Sequence, residues 1–131
     1  MSIRNETIIV LRKVHALIPN LDSSAFLYRY LNSNIRRLAE DEPGLLRLGS
    51  PSEIVDEMVK VSVSPTKISK LSYVEMLGVL ALFDYMYDCY HLTASQIQKK
   101  ASIKEIISLM PVSASLSEIY LIANRLRERF I

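Results

Sequence analysis

Cysteine occurs once in the 131 residues, at Cys89. An internal disulfide is therefore excluded, and the composition fits a reducing cytoplasm, which is where the chain is expected to reside. Long apolar runs are also missing. The longest, MLGVLALF at 76–83, is about half of the roughly 18–20 residues a membrane helix needs, so no membrane partner is expected. The opening MSIRNETIIVLRK lacks the layout of a signal peptide, because its apolar stretch ends in Arg12 and Lys13. Tryptophan is absent, glycine occurs three times and histidine twice. There is no glycine-rich phosphate loop, no G-x-S-x-G elbow and no H-E-x-x-H pair, so neither catalytic residues nor a metal nor any cofactor is expected, and an enzyme is the least supported class.

What is present is apolar material at helical spacing. Half of the residues are hydrophobic and 23% are charged, enough for one core, and a single helical domain over 1–131 is expected. Helix starts punctuate the chain. A Ser or Thr followed three residues later by Glu or Gln can satisfy two orphan backbone N–H groups reciprocally. This occurs at SPSE (50–53), SYVE (72–75), TASQ (93–96), SIKE (102–105) and SLSE (115–118), and Pro51 suits a first helical position. SPTK at 64–67 repeats the Ser-Pro start without the acid. Apolar residues follow with spacings of three and four, as in Ile54, Met58 and Val61, and in Leu116, Ile119, Ile122 or Ala123, and Leu126. The reading is six or seven helices, at 5–18, 23–40, 51–61, 65–70, 72–91, 94–110 with a break near 101–102, and 116–130. Only KVSVSP at 60–65 alternates like a strand. Gly78 falls inside a helix, where it permits close packing against a neighbour. The expected fold is an all-α, compact orthogonal bundle with a helix-turn-helix-like element near 93–110.

Three stretches bear on function. In YMYDCYHL (85–92), Cys89 and His91 point roughly 200° apart on a helix, so they share neither a metal nor a proton. Asp84, Asp88 and His91 share a face, but a His at a helix C-terminus beside the last carbonyls is the commoner meaning. Asp88 and the C-terminal position disfavour a Cys89 thiolate. Tyr85, Tyr87 and Tyr90 ring their helix and so form no stacking platform. In LTASQIQKKASIKEIISLM (92–110), two capped helices meet at a small-residue turn, with Lys99, Lys100 and Lys104 around it. Charge is unevenly spread. Residues 51–98 hold three lysines against Glu53, Asp56, Glu57, Glu75, Asp84 and Asp88, whereas 99–131 hold six basic residues against three carboxylates. A basic segment permits contact with nucleic acid or an acidic partner.

The stretch RLAEDEPGLLRLGSPSEIVDEMVKVSVSPTKISKLSYVEMLGVLALFD (37–84) resembles the middle of the FlhD family of flagellar transcriptional regulators. The likeness runs through Asp41, Arg47-Leu48-Gly49, a capped helix at 50–61, a short helix at 64–71 ending Lys-Leu, and Leu82-Phe83-Asp84. Asn20-Leu21 and LSEIY (116–120) extend it. Cys89 lies after the Phe-Asp end, whereas the family's cysteine lies before it, so no intersubunit disulfide carries over. The resemblance implies an all-α homodimer that acts on duplex DNA together with a second regulatory protein. Lys99, Lys100, Lys104, Arg125, Arg127 and Arg129 would then contact phosphates. A different class also fits: a small α-helical protein-binding module, such as an immunity protein, secretion adaptor or chaperone, whose acidic stretch from Glu53 to Asp88 faces a basic partner.

Overall fold

A computed structural model describes residues 2–41, 49–63, 70–111 and 114–131, and the regular structure among them is all helical. The helices are α1 (Ile3–Leu17), α2 (Ser23–Leu31), α3 (Asn34–Asp41), α4 (Pro51–Val59), α5 (Tyr73–Tyr90), α6 (Ala94–Lys100), α7 (Ile103–Leu109) and α8 (Leu116–Arg127), and a 3-10 turn follows at Glu128–Phe130. The result is the expected bundle of packed helices.

Helix α5 is its axis. Met76, Val79, Leu80, Leu82, Phe83 and Met86 are buried and line one broad face of the helix, a little under half of its circumference. Helices α1, α2, α6, α7 and α8 pack around it, while α4 lies across α1, α2 and α3. One hydrophobic cluster runs through all eight helices save that α3 gives it only Ile35. Each fully buried Leu, Ile, Phe or Met contributes about 1.5–3 kcal/mol relative to its exposed state.

All five Ser/Thr starts sit at helix N-termini. Ser72, Thr93 and Ser115 form reciprocal boxes with Glu75, Gln96 and Glu118. Ser50 and Ser102 cap α4 and α7 through the N–H groups of Glu53 and Glu105, but the two acids turn elsewhere. Glu53 accepts from the Ser50 hydroxyl, and Glu105 pairs with Arg129 at 2.7 Å.

The span expected as one helix over 23–40 is two. Asn32 donates its amide to the Tyr28 carbonyl, and the Ser33 hydroxyl donates to the Tyr30 carbonyl while accepting from the Arg36 N–H. These local side-chain bonds compete with the helical ladder and start α3 afresh. The break expected near 101–102 is real: Ala101 is extended and Ser102 caps α7. His91 does not continue α5. It takes the left-handed conformation (φ 58°), and the N–H groups of His91 and Leu92 close on the Tyr87 and Met86 carbonyls. Residues 60–63 form no strand. The SPTK start and residues 65–69 of the expected short helix lie outside the described residues, as do Arg47 and Leu48. No helix among the described residues is long and apolar enough to cross a membrane.

Candidate functional site

The acid–histidine face of YMYDCYHL does not form a metal site. Asp84 is buried and turned inward, where its Oδ1 accepts from Arg36 Nη1 at 2.5 Å and from Thr7 Oγ1 at 2.9 Å, and its Oδ2 accepts from Arg4 Nη1 at 3.0 Å. Asp88 accepts from the N–H of Ile3 at 3.0 Å and so holds the start of α1 against α5. His91 is exposed at the left-handed cap, and no group of three potential metal ligands occurs among the described residues. Cys89 is free and exposed.

Arg36 is the largest fully buried side chain among the described residues. Beyond Asp84 it bonds Glu40 through Nε at 3.0 Å and Thr7 through Nη1 at 3.3 Å. Glu40 also accepts from the Ala94 N–H at 2.7 Å, and Thr7 meets the Tyr30 hydroxyl at 2.9 Å. Burial works against the Arg36 charge, but the charges of Asp84, Tyr30 and Glu40 outweigh it and raise the guanidinium's pKa. This network ties α1, α2, α3, α5 and α6 together.

The six basic residues have different surroundings. Lys99, Lys100 and Lys104 are exposed around the α6–α7 turn, and none has an ion pair among the described residues. Arg129 lies beside them, donating to the Lys100 carbonyl at 3.1 Å, but its charge is paired with Glu105, which holds that carboxyl below its usual range. Arg125 shares a small surface pocket with Arg129, Leu109, Ile122 and Leu126. Arg127 stacks over the Tyr90 ring at 4.6 Å. The tyrosines also regroup. Tyr85 packs on Tyr120 of α8 at 4.4 Å and edge-on to Tyr90 at 5.7 Å, a cluster that α5 alone does not reveal.

The acidic stretch is likewise dispersed. Asp84 is buried, Asp88 holds Ile3, Glu75 belongs to a capping box, and Glu57 pairs with Lys60 at 2.7 Å. Glu53 and Asp56 remain on the outer face of α4, so the six carboxylates make no continuous acidic surface.

A mostly apolar cleft among the described residues lies between α1, α2 and α4. It is about 240 Å³ and is walled by Val14 and Ile18 from the α1 end, Leu21, Ala25 and Phe26 from the α2 end, and Val55, Met58 and Val59 from α4. Ile18 and Val59 are open to solvent at its mouth. Two charged residues line it, and they differ in state. Asp22 is the N-cap of α2, its Oδ1 accepting from the N–H groups of Ser24 and Ala25 at 3.1 and 3.2 Å. Arg29, two turns further on, has a buried Nε with no acceptor. Sequence reasoning did not single out Arg29. The signal was its position four residues after Ala25 and three after Phe26, a charge on the apolar stripe of α2.

No protein-family model, curated protein or solved structure matches the chain.

Proposed function

We propose that this chain is a small α-helical protein-binding module whose docking site is the α1–α2–α4 cleft. The observation that carries the reading is a preformed apolar trough with Ile18 and Val59 exposed at its rim. Its volume lies below the ~300–1,000 Å³ usual for pockets that enclose a whole small molecule. It suits a few apolar side chains from a segment lying across the surface, the way a helix sets spaced anchors into a groove. Leu17, also exposed, extends the apolar surface at the end of α1.

The test is selection of a displayed random peptide library against the full chain, with Val59→Asp as the comparison. Val59 is exposed, so the substitution leaves the core intact. Peptides that bind the native chain and weaken at least tenfold on Val59→Asp support the reading. Selected peptides that are indifferent to Val59→Asp, and to Ile18→Asp, refute it.

A second reading, a FlhD-like regulator that dimerises and contacts DNA with a partner protein, draws support from the exposed, unpaired Lys99, Lys100 and Lys104. Phosphate contacts of this kind weaken binding in salt roughly in proportion to their number. If the triple reversal to Glu leaves duplex binding and its salt slope unchanged, the lysines have no such role.

A further inference from the structure

Arg29 makes the cleft selective. Its guanidinium lines an otherwise largely apolar wall, its Nε is shielded from solvent without an acceptor, and the side chain has no hydrogen bond or ion pair among the described residues. Buried polar atoms are nearly always satisfied, so an orphaned donor on a concave surface marks where an acceptor belongs. Asp22, the one carboxylate in this wall, does not supply it: its Oδ1 caps the first N–H groups of α2, and it makes no ion pair with Arg29. A guanidinium presents a planar fork that matches a carboxylate with two parallel bonds, which a neutral acceptor does not reproduce.

Building on the protein-binding reading, we infer that the segment received by the cleft carries a carboxylate beside its apolar anchors and that Arg29 binds it. The partner segment is thus apolar and acidic. This reverses the basic partner that the charge count of residues 51–98 pointed to, since most of those carboxylates are engaged within the fold. The apolar anchors occupy the space among Val14, Phe26, Val55 and Met58, and the acid closes over Arg29.

The experiment uses the full chain, Arg29→Met, which removes the charge but keeps the length, and Arg29→Lys, which keeps the charge but loses the fork. Thermal melts establish that each variant is folded. Two probes share one tail, octanoate and 1-octanol, and binding is followed by NMR of the cleft methyl groups of Val14, Ile18 and Val59. Octanoate should bind at least tenfold more tightly than octanol to the native chain, with the preference abolished in Arg29→Met and reduced in Arg29→Lys. Peptides selected on the native chain should carry Asp or Glu, and replacing that acid by its amide should cost at least tenfold on the native chain and little on Arg29→Met. An unchanged octanoate preference in Arg29→Met overturns the assignment, as do cleft-binding peptides that lack an acid. If octanoate discriminates through Arg29 but no peptide is selected, the protein partner is wrong and the occupant is a free carboxylic acid. Self-association by light scattering that is lost in Val59→Asp would instead identify a second copy of this chain as the occupant and overturn the proposal.

Discussion

Asp84 shows how a single residue is recast by its surroundings. In the sequence it reads as one carboxylate on an acid–histidine face, and in the fold it is the hub of a buried ionic network with Arg36, Arg4 and Thr7. Removing one partner of a buried pair leaves the other charge uncompensated, which costs about 3–5 kcal/mol. Asp84→Ala should therefore lower stability by about that much in urea titrations. A loss under about 1 kcal/mol, the level of an exposed pair, would mean that Arg36 finds another partner. Tyr30 gives the network a pH signature. Burial pushes its hydroxyl above the usual 10, Arg36 opposes this and Asp84 adds to it. A pKa raised in the folded state gives stability that is complete below the unfolded value and is lost as pH climbs toward the folded one. The native chain should thus lose stability more steeply above pH ~10 than Tyr30→Phe, as measured by urea midpoints across that range. Parallel profiles would remove Tyr30 as the cause. None of this was legible in the sequence, because Arg36 and Glu40 look like an ordinary exposed pair at i and i+4 until Asp84, from a helix 48 residues away, is seen to meet them.

The helices themselves were largely legible, for a local reason. A cap needs only a hydroxyl and a backbone N–H three residues on, so five N-termini could be marked from spacing alone. What failed was also local but ambiguous. Asn32 and Ser33 are tolerated inside helices, and only their back-bonds to Tyr28 and Tyr30 reveal the break between α2 and α3. Helix α5 offers two predictions, one at its end and one in its interior. His91 occupies a left-handed position that costs an L residue about 1–2 kcal/mol, which exceeds glycine's extra entropy cost of about 0.5–1 kcal/mol, so His91→Gly should raise stability by up to about 1 kcal/mol. Gly78 was expected to permit close packing, and a methyl group there would approach Met110 Cε to 3.3 Å. The far end of a methionine adapts readily, so the helix-propensity gain should dominate. Gly78→Ala should then raise the melting temperature, with a gain of roughly 0.4–1 kcal/mol. A lower melting temperature would show that Met110 is wedged.

At the scale of the whole molecule, sequence periodicity says which face of a helix is apolar but not what covers it. Val14, Phe26, Val55 and Val59 all fit apolar stripes, yet only the crossing of α4 over α1 and α2 leaves a trough among them. A charge count has the same blind spot, since it treats Asp84 in the core and Asp56 on the surface alike. The lysines lie around the α6–α7 turn, whereas Arg127 stacks on Tyr90, because i and i+2 positions on α8 face opposite ways. Two surfaces thus compete as the working face, the Arg29 cleft and the lysine turn. The decisive measurement is the affinity of the tightest selected peptide for the native chain, for Val59→Asp and for the triple variant Lys99→Glu, Lys100→Glu and Lys104→Glu. The account predicts at least a tenfold loss with Val59→Asp and a change below twofold with the triple variant. The opposite pattern would contradict it and move the working face to the α6–α7 turn.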